Sequence, residues 1–157
     1  MQAKVSICIP VYNGEATIKE TILSALNQTY SNIEVIVVDN SSTDETERII
    51  KKIADDHLKI YKNEKNIGML GNWNKCVEYA TGEYVHLLCA DDNMMPECIE
   101  KKMQLIEKNK DLKFVFGASQ IINESGKVLM ERKYGYKDQI YNGNFLIKKS
   151  LHRRNIF

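Results

Sequence analysis

Short apolar runs alternate with amphipathic stretches along the chain, the pattern of βαβ units packed around a mostly parallel sheet. The first run, Val5 to Ile9, stops at Pro10, which cannot donate to a strand ladder and so marks a strand end or edge. Between Glu15 and Gln28, Ile18, Ile22, Ala25 and Leu26 recur on one helical face. Ile33 to Val38 follows, apolar on both parities and rich in β-branched residues, as expected of a central parallel strand buried on both sides. Ser42 and Glu45 stand at capping-box spacing ahead of a helix whose face is Thr46, Ile49, Ile50 and Ile53.

Leu58 to Tyr61 is a third strand candidate. Leu70, Trp73, Val77 and Ala80 then fall at helical spacing, and Gly82 is a natural terminator. Tyr84 to Leu88 is the fourth strand and runs into Asp91 and Asp92. Pro96 opens another helix, with Ile99, Met103 and Ile106 on its apolar face. Phe114 to Ile122 and Lys127 to Glu131 flank the turn residues Asn123 to Gly126, which suits an antiparallel hairpin. Beyond Arg132 the periodicity weakens: Tyr134 to Tyr136 and Asn142-Gly143 read as loop, and Phe145 to Leu151 as an amphipathic piece beside Lys148, Lys149, Arg153 and Arg154.

Composition narrows the function classes. A chain of 157 residues fits one domain on the prior of ~100–200 residues per domain. Twenty-two Lys and Arg against twenty-one Asp and Glu leave a net charge of +1, so nothing in the overall charge points to nucleic acid. Cys8, Cys76, Cys89 and Cys98 form no CxxC pair and read as reduced core or near-core thiols of a cytosolic chain. His57, His86 and His152 are scattered rather than set at ligand spacing, which argues against a zinc site. The apolar stretch near the start is broken by Pro10 and is too short for a signal or a membrane span, so the expected location is cytoplasmic.

In an open α/β sheet the ligand crevice lies outside the carboxyl ends of the parallel strands. Tyr12-Asn13-Gly14, Asp39-Asn40-Ser41 and Asp91-Asp92-Asn93 occupy three such ends. By position alone, Asp39 either accepts hydrogen bonds from a base or ribose, or, like Ser41, organises the turn into the next helix. Asp91 and Asp92 repel unless a cation or proton separates them; one Asp with a diphosphate is enough to hold Mg²⁺ or Mn²⁺. A bare Asp pair is more often a solvated loop before a helix. Gly68 and Gly71 match neither the P-loop nor GxGxxG; Gly68 instead permits close approach of backbone to ligand at a helix start.

In combination, "IPVYN" at 9–13, "VVDNSSTDET" at 37–46, "NIGMLGNWN" at 66–74 and "ATGEYVHLLCADD" at 80–92 occur in an order and spacing that resembles the family 2 glycosyltransferases of the GT-A fold, over about residues 4 to 131. The resemblance implies an α/β/α sandwich of Rossmann type with a mostly parallel central sheet. It also implies a donor nucleotide pocket formed by Pro10, Val11, Tyr12, Asn13 and Glu15 after the first strand, by Asp39 and Ser41 after the second, and by Asn66, Gly68 and Asn74 around the next helix. Asp92, with Asp91, would hold Mn²⁺ or Mg²⁺ against the donor diphosphate, Asp91 also touching ribose or sugar. The implied activity is transfer of a sugar from a nucleotide-diphosphate donor, a UDP-sugar first, to a glycan, lipid-linked or small acceptor, with inversion and metal dependence.

The sequence departs from the family pattern at two positions. Cys89 stands where an Asp often opens the acidic motif, and Trp73 where many members carry Arg. The family's general base comes from a later segment, and no acidic residue follows Asp138. The expectation is therefore the donor-binding, N-terminal part of a longer enzyme, one domain over residues 1–157, with its base beyond Phe157. Its alternative is a nucleotide-binding fragment without turnover. Pairing with a second copy and contact of the basic group with a membrane surface are further expectations.

Overall fold

The computed structural model describes residues 2–132 and 140–145. Two compact units divide the chain, Met1–Lys113 and Phe114–Phe157. The expected loop at Tyr134 to Tyr136, most of the amphipathic piece and the whole basic group lie outside the described residues.

In the first unit, β1 (Val5–Val11), β2 (Ile33–Asp39), β3 (Leu58–Lys62) and β4 (Tyr84–Leu87) form one sheet in the order β3-β2-β1-β4, every neighbour parallel. Helices α1 (Ile18–Leu26), α2 (Thr46–Ile50) and α3 (Gly68–Tyr79) connect successive strands, and α4 (Cys98–Lys108) follows β4. The chain moves in one direction from β1 to β3 and then returns to the other side of β1 for β4. With right-handed crossovers, that reversal sets α3 on the face opposite α1 and α2. Packing agrees: Cys8, Ile36 and Val38 share one parity and meet Cys76 of α3 in a buried cluster. The other parity, Ile7, Ile9, Val35 and Val37, is equally buried, as are Ile18, Ile22 and Ala25 of α1.

β1 runs two residues past the expected stop, through Pro10 to Val11. Leu88 N donates to Cys8 O and Asn40 N to Val11 O, so even positions of β1 face β4 and odd ones face β2. The β4 pairing ends at Cys8↔Leu87. Pro10 therefore turns its missing N–H toward the side where, among the described residues, no strand remains, the one place a central strand tolerates it.

Other local expectations change for identifiable reasons. The capping box does not form, and α2 starts only at Thr46 with no side-chain cap on Glu45. Ser42 instead donates to Asp39 Oδ1, while Asp44 Oδ1 accepts from Thr46 N at 3.0 Å. On α3 the anticipated apolar face is rotated: Asn72 and Cys76 are buried, whereas Leu70 and Val77 are exposed. Asn72 belongs inside because its amide donates to Val38 O at 2.9 Å and accepts from Asn63 Nδ2 at 2.8 Å, satisfying a carbonyl at a strand end. Gly82 does not terminate α3, which closes at Ala80. A Cβ on Gly82 would sit 2.7 Å from Ser6 N and 2.8 Å from Lys4 O, so glycine lets this segment lie against the backbone of β1. The face of α4, Ile99, Met103 and Ile106, is buried as the periodicity predicts.

At the N-terminal end of the sheet, the buried Glu34 of β2 collects Lys59 at 2.7 Å, Lys4 at 3.0 Å, Ser6 Oγ at 2.6 Å, and the Thr81 N and Oγ1, both at 2.8 Å. Burial alone would raise its pKa, but the donors from Lys59, Ser6, Thr81 and Lys4 outweigh it and hold the carboxyl well below the usual range.

In the second unit, β5 (Ser119–Ile122) and β6 (Val128–Arg132) form the expected antiparallel hairpin, β5 starting later than its apolar run. Asn123 Oδ1 accepts from Ser125 N and Lys127 N, and Gly126 takes φ of 77° to close the turn.

Two outcomes follow for stability. Gly82→Ala forces β1 or the segment before β4 to shift and should cost about 1–3 kcal/mol in urea unfolding. Glu34 has a folded pKa below its unfolded value of ~4.3, so its stabilisation is complete above that pH and is lost as pH falls through and beneath it. Glu34→Gln should lower stability at pH 7 by roughly 1.5–3 kcal/mol and flatten the acid limb of a stability-against-pH curve below pH ~5; an unchanged limb would remove Glu34 from its cause.

Candidate functional site

The strand order reverses at β1, between β2 and β4, and polar residues gather at the C-terminal ends of these strands. An open cleft of about 140 Å³ lies there, lined by Pro10 and Val11 at the end of β1, Tyr12 just after it, Asn40 after β2, Asn66 before α3, and Met69, Asn72 and Trp73 on α3. Half-exposed Tyr12 and half-buried Trp73 offer aromatic faces, and the asparagines offer both donors and acceptors.

An asparagine network shapes this wall. Asn40, buried to 2% exposure, donates to Asn66 Oδ1 at 3.0 Å and accepts from Asn63 Nδ2 and Ile67 N, each at 3.0 Å. Asn66 Oδ1 also accepts from Gly68 N at 2.8 Å. Gly68, at φ 78°, turns the chain into α3 in a conformation that a side chain would strain.

Of the residues expected to meet a nucleotide, Pro10, Val11, Tyr12 and Asn66 line the cleft. Asn13 and Glu15 tie the loop after β1 to the loop after β2: Asn13 Oδ1 accepts from Thr43 N at 2.9 Å, and Glu15 Oε2 from Glu45 N at 2.9 Å. Ser41 adopts φ of 63° in that second loop. Asn74 is exposed on α3 and outside the cleft lining. Asn40, Asn72, Met69 and Trp73 were not among the expected residues. Asn40 directly follows Asp39 at a strand end, and Asn72 precedes the buried Cys76 by one helical repeat, which are the signals that mark them.

Asp39 fills the turn-organising role that its position left open. Its Oδ1 accepts from Ser42 N at 3.0 Å and from Ser42 Oγ, organising the turn. Its Oδ2 is buried without a hydrogen-bond partner among the described residues, on a residue 1% exposed. A buried carboxylate oxygen left unpaired is costly in the free protein and is relieved by a donor arriving from outside.

After β4 the chain folds back at once, Asp92 N donating to Cys89 O at 3.1 Å. Thr17, just before α1, and Thr21 of α1 both donate their hydroxyls to Ala90 O, at 2.8 and 2.9 Å, and fix this turn. The donor atoms of Cys89, Asp91 and Asp92 lie within 4.8 Å of one another. Desolvation and the Asp91 charge push Asp92 up, and burial with both aspartates pushes the Cys89 thiol up. Such crowding of negative charge is relieved by a cation, and two carboxylates are suitable donors for a divalent ion.

Comparison with known proteins agrees with this geometry. The Glycosyl transferase family 2 model matches residues 6–154. The Escherichia coli enzyme UDP-Glc:alpha-D-GlcNAc-diphosphoundecaprenol beta-1,3-glucosyltransferase WfgD is 34% identical over 141 residues, covering 88% of this chain and 55% of the relative. S. aureus TarS 1-349 in complex with UDP superposes with a TM-score of 0.64 at 32% identity, covering 68% of this chain and 33% of that one. The mannosyltransferase PcManGT from Pyrobaculum calidifontis, in complex with GDP-Man and Mn²⁺, gives 0.60 at 26% identity, covering 78% and 36%. The chain spans about half the length of the curated relatives it matches. Its parallel sheet with a cleft at the β1 reversal is thus the GT-A arrangement, and the chain belongs to glycosyl transferase family 2.

Proposed function

We propose that this chain binds the donor of a glycosyltransferase, a nucleotide-diphosphate sugar, at the C-terminal edge of its parallel sheet. One observation carries the reading: the cleft beyond β1 and β2 and the Asp91–Asp92 turn beyond β4 flank the same strand, at the point where the sheet order reverses. The base occupies the cleft against Tyr12 and the asparagine wall. Asp39 Oδ2 takes a donor from the base or ribose, and Gly68 lets the backbone come close to the ligand. Asp92, assisted by Asp91, holds a divalent cation, Mn²⁺ or Mg²⁺, which supplies charge neutralisation at the diphosphate.

The reaction follows from the donor's chemistry. An acceptor hydroxyl attacks the anomeric carbon, the bond from that carbon to the diphosphate oxygen breaks, the acceptor proton passes to a general base, and the nucleoside diphosphate departs, with inversion at carbon. Within that scheme the residues described here bind and orient the donor. UDP is the nucleotide best supported, by the UDP-glucose specificity in the name of WfgD and by the UDP complex of TarS. The first of these also supports a lipid-linked diphosphate acceptor.

Three outcomes test the proposal. UDP with Mn²⁺ should raise Tm, ligand at 100-fold its Kd contributing ~2.7 kcal/mol, or roughly 2–4 °C per kcal/mol for a chain of this size. Asp92→Asn should abolish the increment that Mn²⁺ adds to UDP while leaving any effect of UDP alone. Asp39→Asn keeps an acceptor for Ser42 and should leave the ligand-free Tm within about 1 kcal/mol of stability, yet weaken UDP binding in calorimetry roughly tenfold or more. If no nucleotide changes Tm with or without Mn²⁺, the donor-site assignment fails.

A further inference from the structure

We propose that Cys89 is a third donor to the divalent-cation site, so that this chain's site favours thiophilic cations such as Zn²⁺ and Cd²⁺ over Mg²⁺. The inference rests on the cation reading above and goes beyond it, because it concerns the residue at which this chain departs from its family's acidic motif. Cys89 is the last residue before the turn and is half-buried; its backbone carbonyl receives Asp92 N at 3.1 Å. That closure brings Sγ and a carboxylate oxygen from each of Asp91 and Asp92 within 4.8 Å, a span that one ion can bridge.

The turn is held rather than loose. Leu88 N bonds Cys8 O in β1, Ala90 O receives the hydroxyls of Thr17 and Thr21, and Met94 N donates to Ser24 Oγ of α1. A donor set presented from such a frame is selective through ligand chemistry: all-oxygen sites suit Mg²⁺, Ca²⁺ and Mn²⁺, while a thiolate shifts preference toward Zn²⁺ and similar ions. The scattered histidines argue against a four-ligand structural zinc site, not against an open site with two carboxylates and one sulfur. Binding forms a sulfur–metal bond and releases the thiol proton to solvent, with no change of oxidation state.

Cd²⁺ is the probe. Titrated into the full 157-residue chain, it should produce thiolate-to-metal ultraviolet absorption saturating at one equivalent. Cys89→Ser should abolish that band and weaken Cd²⁺ and Zn²⁺ binding by at least the ~10–100-fold that outer-shell partners command, with Mg²⁺ affinity little changed. Cys98→Ser, which alters the other half-buried thiol, should keep the band. In the unsubstituted chain, stoichiometric Zn²⁺ should protect Cys89 from alkylation in peptide mapping where Mg²⁺ does not, a measurement independent of how any variant folds. The proposal is overturned if the band is missing in the unsubstituted chain, if it survives Cys89→Ser, or if Zn²⁺ leaves Cys89 alkylation unchanged. A UDP–Mn²⁺ shift in Tm that persists alongside any of these results would leave the donor site standing and remove only the role of Cys89. Loss of both would remove the two together.

Discussion

The whole arrangement depends on the double burial of β1 and β2. Every residue of both strands is buried, so neither can be an edge, and the sheet has to extend outward from them on both sides. One side is filled by β3 and the other by β4, and since the connections are right-handed the helices are forced onto opposite faces. Loops leaving β1 and β2 and the loop leaving β4 then diverge above β1. The crevice is a product of connectivity, and the side chains around it refine a space that the backbone has already opened.

Polar groups inside this frame divide the sheet into two ends with different duties. At the N-terminal end Glu34 satisfies all its hydrogen-bonding needs from Lys4, Lys59, Ser6 and Thr81, binding β1, β2, β3 and the approach to β4 into one cluster. At the C-terminal end Asp39 is left, among the described residues, with one oxygen unpaired and Asp92 with an unfavourable neighbour. Completion at one end and deficit at the other is how a stable scaffold carries a binding site.

Much of this was legible from the residues. The β-branched run of Ile33 to Val38, the 3.6-residue spacing of Ile18, Ile22 and Ala25, and the face of Ile99, Met103 and Ile106 reported burial faithfully, because in each the hydrophobic side chains do the packing. The four ordered motifs located the strand ends that form the cleft. Legibility failed where a polar group performs a buried task. Asn72 reads as surface, yet it occupies the inward position of α3; Ser42 and Glu45 have cap spacing, yet Ser42 is drawn to Asp39 across a turn. Pro10 reads as a stop, because which neighbour its nitrogen would face is decided by the end of β4, a tertiary fact. Asn40 and Trp73 stand out in the sequence, one at a strand end and one as a departure from the family pattern, but their direction into the cleft does not, because it is set by the rotation of the element that carries each.

That rotation of α3 inverts the ordinary ranking of what a helix can lose. Leu70 and Val77, the large aliphatic residues of its sequence, stand in solvent, while Asn72 and Cys76, joined by Tyr79 against the same buried cluster, fasten it to the sheet. The substitution tolerance of this helix should therefore follow which face a residue occupies rather than its hydrophobicity. Sequences could drift at Leu70 and Val77, and the wall of the cleft would be lost through an amide that a composition-based view would class as expendable.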